Sequence, residues 1–217
     1  MYKAIIFDLD GTLLDTLDDL TDAVNAALAK CGLPLREKAE VKAFVGNGIK
    51  KLMERAVAPR MEYADEALAE FRRYYLEHCS DKTKEYEGIT PLALSLKERG
   101  IKTAVVSNKA DFALKKLAED YFSGLFLEAI GENEEKGIRK KPAPDSLLAV
   151  MEKLGVSKAE TVYVGDSEVD IETANNAGVD CICVTWGFRT KAFLQERGGQ
   201  VFVDTPEEIL NFVRNEL

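Results

Sequence analysis

Five short apolar runs, Lys3–Phe7, Lys102–Val106, Leu127–Ile130, Thr161–Val164 and Cys181–Val184, each end in polar residues or glycine, and helical patterns separate them. Runs this apolar have no solvated face, and a chain that alternates them with helices can bury them in a parallel sheet covered on both sides. The pattern predicts an α/β fold with a three-layer core. Several helix ends are marked. Thr90-Pro91 reads as an N-cap and first-turn proline with Gly100 beyond the far end, and Thr205-Pro206 opens a last helix carrying Ile209, Leu210 and Val213. Between Pro144 and Leu154, the side chains of Leu147, Leu148, Met151 and Leu154 share one face, and Gly155 stops the helix.

One stretch breaks the alternation. From Thr16 to Asp81 there is no strand signal. Leu17, Leu20, Val24, Ala27, Leu28 and Cys31 form one helical stripe, and Ile49, Leu52, Met53 and Ala56 another. About 65 helical residues placed directly after a first strand are too many for a loop and predict an inserted helical subdomain. The expected division is residues 15–82 as the insert, with 1–14 and 83–217 as the α/β core.

Composition limits the partners. With 38 acidic and 29 basic residues the net charge is −9, so no general field attracts nucleic acid or anionic lipid. An anionic substrate would have to find its positive charge locally. No stretch approaches the ~18 apolar residues of a membrane span, and the first apolar run meets Asp8 at once. The expectation is a cytoplasmic protein without signal peptide or anchor, with reduced thiols at Cys31, Cys79, Cys181 and Cys183. His78 is the only histidine and sits on a polar helical segment, which removes most histidine-based nucleophile schemes and mixed Cys/His zinc sites.

The chemistry-bearing residues fall at strand tips. The first strand delivers Asp8-Leu9-Asp10-Gly11-Thr12. It could be a turn bonded to nearby N–H groups, or a carboxylate pair placed where open α/β sheets bind ligands. The second ends in Ser107-Asn108, followed by Lys109, which is either a helix cap before Ala110 or an anion seat. The fourth runs into Gly165-Asp166-Ser167-Glu168-Val169-Asp170, where Ser167 and Asp170 have capping-box spacing, while Asp166 beside a glycine could bind a hard cation together with Asp170. Gly137-Ile138-Arg139-Lys140-Lys141-Pro142 is a basic cluster before prolines, either a solvated loop or the local positive charge such a site needs. Together they supply a nucleophile, metal ligands, phosphate donors and a counter-charge, the requirements of phosphoryl transfer.

In this order, Asp8-Leu9-Asp10-Gly11-Thr12, Ser107-Asn108, Lys141-Pro142 and Gly165-Asp166-Ser167-Glu168-Val169-Asp170 closely resemble the motifs of the haloacid dehalogenase-like phosphohydrolases, over a span from Ile6 to about Arg189. The resemblance implies a Rossmann-like core with a mobile helical cap inserted after strand one, and Mg2+ as cofactor. It implies Asp8 as the nucleophile that becomes an aspartyl phosphate and Asp10 as the acid/base. Lys141 would neutralise Asp8 and the transferring group, and Ser107 and Asn108 would hold phosphate oxygens. Asp166 would bind the metal with the Asp8 carboxylate and the Asp10 backbone carbonyl, while Asp170 orients the metal shell. Relatives often carry proline before the Lys-Pro pair; here Lys140 stands there, and adjacency to Pro142 favours Lys141 over it.

Val45-Gly46-Asn47-Gly48 and Thr185-Trp186-Gly187-Phe188-Arg189 resemble the subgroup that contains phosphoglycolate phosphatase. The partner implied is a small phosphorylated metabolite, first 2-phosphoglycolate, with pyrophosphate, a nucleotide or a sugar phosphate as competitors. Gly46, Asn47 and Gly48 could bring backbone N–H groups to a small carboxylate, or simply join two cap helices. Lys50, Lys51 and Arg55 could meet that carboxylate or form a solvated face. Dehalogenation is disfavoured because those relatives lack an acid at the position of Asp10. A phosphosugar mutase and a non-enzymatic phosphate-responsive module remain as alternatives.

Overall fold

In the computed structural model, which describes residues 2–132 and 137–213, β1 (Ala4–Phe7) leads through a two-residue strand β2 (Leu14–Asp15) into four helices: α1 (Leu17–Lys30), α2 (Lys38–Phe44), α3 (Gly48–Val57) and α4 (Ala64–His78). The chain returns through β3 (Lys84–Glu85) and then alternates α5 (Ile89–Glu98), β4 (Lys102–Ala110), α6 (Asp111–Phe122) and β5 (Glu128–Glu132). There follow α7 (Asp145–Leu154), β6 (Thr161–Gly165), α8 (Glu168–Ala177), β7 (Asp180–Val184), α9 (Lys191–Glu196), β8 (Val201–Val203) and a 3₁₀ segment over Pro206–Phe212.

Six of the strands form one sheet in the order β5-β4-β1-β6-β7-β8, and every pairing in it is parallel. Alternate side chains of β1 leave on opposite faces. Ile5 and Phe7 pack with Leu92 and Leu96 of α5 and with Leu114 and Leu117 of α6. Ala4 and Ile6 pack with Leu147 and Val150 of α7 and Ala174 of α8. The sheet is therefore the middle of three layers. The chain lays β4 and β5 on one side of β1 and β6 to β8 on the other, so strand order reverses at β1. Crevices in open α/β sheets form at the carboxyl ends of the strands at such a reversal.

The inserted helices have a core of their own. Leu20, Val24, Leu28, Met53, Phe71 and Tyr75 are buried together, and among the described residues only Ala110, Ala113 and Phe188 join that cluster from the α/β part. The two crossing segments run side by side, with Leu14 opposite Glu85 and Asp15 opposite Lys84. Buried Asp19, in the first turn of α1, fastens the return by accepting hydrogen bonds from the N–H groups of Lys82 and Thr83 and from Thr83 Oγ1.

Four local readings differ from the structure. β4 continues through Ser107-Asn108 to Ala110, so neither residue caps α6, whose N-cap is Ala110. α5 starts at Ile89 behind Gly88, whose φ of 94° suits glycine; Thr90 lies inside the first turn and donates to Glu85 instead of capping. The segment after Thr205 is 3₁₀, not α. Strands β2, β3 and β8 carry no periodicity a sequence could show, because two or three residues become a strand only through their partners. The four cysteines are free thiols; Cys79 and Cys183 are buried, and His78 lies at the surface against Asp81.

Candidate active site

Asp8 is placed by the sheet: its N–H donates to Val164 O of β6 at 2.9 Å, continuing the parallel pairing one residue beyond β1. From the same edge, Asp166 follows β6 and Asp170 lies in the first turn of α8. The capping box forms as its spacing predicts, with Ser167 N and Oγ donating to Asp170 Oδ2 at 3.0 and 2.6 Å. Asp166 is seated by two glycines. A Cβ on Gly187 would stand 2.3 Å from the Asp166 Cβ, and one on Gly11 would stand 2.3 Å from Asp166 Oδ2. Phe188 N donates to that oxygen at 2.6 Å.

Carboxylate oxygens of Asp8, Asp166 and Asp170 thus lie within 4.8 Å of one another, all buried. Lys141 stands among them, its Nζ 3.0 Å from Asp8 Oδ1, 2.7 Å from Asp170 Oδ1 and 2.9 Å from Tyr163 Oη, which in turn donates to Val106 O. Lys140 points elsewhere, with Nζ 3.7 Å from Glu132 Oε1. Of the two lysines, it is Lys141 that meets Asp8.

Three buried acids surround one ammonium, with the Arg189 guanidinium also acting on Asp166. Burial pushes the Asp8 carboxyl up to about 6 despite Lys141, with Asp170 adding to the rise. Burial also lifts Asp166 well above the ordinary range, helped by the charges of Asp170 and Asp8. Although burial opposes its charge, Asp170 and Asp8 hold the Lys141 ammonium well above its usual value. Asp8 Oδ1 is buried with no aligned hydrogen-bond donor. A cluster of oxygen-only donors that carries more acids than the lysine among them can offset fits a hard divalent cation.

The second acid of the β1 loop behaves differently. The Asp10 carboxylate is not in the cluster; its Oδ1 accepts from Thr16 Oγ1 at 2.6 Å and from Lys109 Nζ at 2.8 Å. Lys109 is buried at the end of β4 and also bonds Tyr75 Oη of α4.

Asn108 works along the backbone. Its Oδ1 accepts from Lys141 N, and its Nδ2 donates to Lys141 O at 2.9 Å and Gly46 O at 3.0 Å, so both amide protons are engaged and neither is directed to a phosphate. Ser107 lies beside Asp8, where it works against the rise of that carboxyl, and its Oγ accepts from Lys109 N at 3.3 Å.

The cavity over these groups is lined by Asp8, Asp10, Ser107, Asn108 and Asp166 on the sheet side. Leu20, Val45, Ile49, Leu52 and Phe188 make its other wall apolar. Gly46 and Gly48 line it, whereas Asn47 turns its Oδ1 to Arg55. Gly48 also faces an acid of the core: a Cβ there, where φ is 82°, would meet Glu132 Oε2 at 2.4 Å. Arg55 braces the turn by donating to Phe44 O and Asn47; Lys51 is exposed and paired with Glu54. Arg189 ties the turn from the core, donating to Lys42 O, Val45 O and Glu168. The sequence marks Lys109 only as the neighbour of Ser107-Asn108 and does not single out Tyr75 or Tyr163 for the site.

Residues 5–184 match the family model of the haloacid dehalogenase-like hydrolases, and the chain belongs to that family. A phosphoglycolate phosphatase of Pseudomonas syringae pv. tomato is 34% identical over 209 residues, covering 93% of this chain and 76% of the relative. That of Aquifex aeolicus is 33% identical over 86% of both chains. A crystal structure from Lactobacillus delbrueckii subsp. bulgaricus, provisionally named a phosphoglycolate phosphatase, superposes with a TM-score of 0.91 at 39% identity over 99% of both chains. Among the described residues no helix is long and apolar enough to cross a membrane.

Proposed function

For this member of the haloacid dehalogenase-like hydrolases, a phosphoric monoester hydrolase, we propose magnesium-dependent hydrolysis of a small phosphorylated metabolite, 2-phosphoglycolate first, by way of an aspartyl phosphate. The observation that carries the reading is Lys141 seated between Asp8 and Asp170 beside Asp166. Asp8 and Asp166, with the Asp10 carbonyl, would hold Mg2+, and Asp170 would orient them. When bound, the ion supplies positive charge to the nucleophile and the phosphoryl oxygens.

The chain's own residues divide the remaining work. An Asp8 oxygen attacks phosphorus, and the bond to the leaving oxygen breaks as Asp10 passes that oxygen a proton. Asp10 then takes a proton from water, whose oxygen attacks the aspartyl phosphate, releasing orthophosphate and restoring Asp8. Lys141 offsets the charge that builds on the transferring group, in a site dry enough for that charge to count. Ser107 lines the cavity beside Asp8, where its hydroxyl would hold a phosphoryl oxygen.

The choice of substrate rests on the names of the relatives and on the cavity wall. A wall of Leu20, Val45, Ile49, Leu52 and Phe188 offers a polyhydroxylated leaving group few partners, which favours a small substrate over a sugar phosphate. The test is phosphate release with Mg2+ over a panel of phosphorylated metabolites, reporting kcat/KM. Phosphoglycolate should lead the panel. A flat profile would leave a general phosphatase, and no release from any monoester would overturn the reading.

A further inference from the structure

We propose that Lys109, held in place by Tyr75 of the helical insert, is the positioning residue for the Asp10 carboxylate; the inference rests on Asp10 being the general acid proposed above. Lys109 donates to Asp10 Oδ1 at 2.8 Å and to Tyr75 Oη at 2.7 Å, and only 2% of its side chain is exposed. Lysine in such a place must be partnered, because an unpaired ammonium taken out of water is strongly destabilising. Its two partners come from different parts of the molecule. Asp10 belongs to the β1 loop, and Tyr75 to α4, where it is fully buried and stacked on Phe71 at 5.1 Å. The packing of the insert therefore fixes the tyrosine hydroxyl, and Lys109 carries that position to the acid.

Two donors converge on Asp10 Oδ1, since Thr16 Oγ1 bonds it at 2.6 Å from the start of the insert. Two bonds to one oxygen anchor the carboxylate, and among the described residues none donates to Oδ2, the oxygen left for proton exchange with the leaving oxygen. The division between lysines follows. Lys141 meets the nucleophile, and Lys109 meets the acid. A general acid works only within hydrogen-bond reach of its oxygen, so an Asp10 that swings free should lose proton transfer while the nucleophile stays intact.

The test compares two aryl esters of similar shape and different need for protonation. p-Nitrophenyl phosphate expels a stable phenolate and needs little help; phenyl phosphate needs its leaving oxygen protonated. Their kcat/KM values report only steps through the phosphorylation of Asp8. Lys109→Met should lower kcat/KM for phenyl phosphate about 100-fold, within the range general acids contribute, and that for p-nitrophenyl phosphate less than about threefold. Tyr75→Phe keeps the buried ring and should give the same ordering, about tenfold against little change. Equal losses on both esters would make the lysine a phosphoryl ligand or a structural residue and overturn the inference, as would no loss in either variant. A wild-type enzyme that releases phosphate from no monoester, these two and the metabolite panel included, would instead overturn the phosphatase reading beneath it.

Discussion

Asn108 Nδ2 donates at 3.0 Å to the carbonyl of Gly46, joining the end of β4 to the turn between α2 and α3. The same amide closes a ring of bonds with the backbone of Lys141, so one side chain places the loop that carries the lysine and the turn that roofs it. Arg189 doubles the link by donating to Lys42 O and Val45 O. The insert and the α/β core therefore meet at the cavity through specific polar contacts.

Asp8→Asn should abolish turnover, by at least about 1,000-fold, while the protein stays folded, because the amide keeps the shape but cannot attack phosphorus. Phosphate release from purified protein with an unchanged circular dichroism spectrum checks it. Near wild-type release would end the covalent mechanism.

Removal of metal should silence the enzyme. Activity should vanish in excess EDTA, return with Mg2+ and return poorly with Ca2+, whose larger and looser coordination misplaces the reacting oxygens. Mg2+ should also raise Tm, since a ligand at about 100 times its Kd adds about 2.7 kcal/mol. In Asp166→Asn that rise should shrink or disappear.

Acidity gives a signed expectation for the metal-free protein. The native Asp8 carboxyl is pushed up to about 6 from an ordinary value of 3.8. A group raised on folding favours the native state while protonated, so its contribution is full below about 4 and is lost as pH rises through about 6. In EDTA, Asp8→Asn should therefore gain in Tm relative to wild type between pH 4 and 7, by several degrees. A constant difference across that window would show that Asp8 does not titrate there.

The two lysines should separate cleanly. Lys141→Ala removes the charge bonded to both Asp8 and Asp170 and should lower kcat by about 100-fold or more. Lys140→Ala should cost no more than severalfold, because that ammonium lies toward Glu132. The reverse ranking in steady-state kinetics would move the role to Lys140.

Gly48→Val should lower kcat/KM for phosphoglycolate at least about tenfold and for p-nitrophenyl phosphate much less. The residue needs its φ of 82°, and a Cβ would strike Glu132, so the turn must shift from the substrate's far end while the core motifs stay put. Equal loss on both substrates would show that the turn only connects helices.

Much of this protein is written in local pattern. Alternating apolar runs give a parallel sheet because a strand buried on both faces must be apolar throughout, and the helical stripes of residues 17–28 and 49–56 give a second core for the same reason. The capping box of Ser167 and Asp170 also needs no distant partner. Position along the chain places Asp8 at one strand tip and Asp166 just beyond another, so the carboxylates of the site are legible before any fold is known.

Tertiary structure decides what the polar side chains do once they arrive. A terminal amide can serve a helix end, a phosphate or another loop, and only the approach of Lys141 and Gly46 turns Asn108 to the backbone. The pairing of Lys109 with Asp10 joins residues 99 positions apart, and its Tyr75 contact crosses from core to insert. Strands β2, β3 and β8 are too short to have a period and exist only as partners of others. Hydrophobic periodicity is a local signal, set by which face of an element is buried. Hydrogen bonds and ion pairs are fixed by distance and angle between residues far apart in sequence, and those distances appear only when the chain has closed.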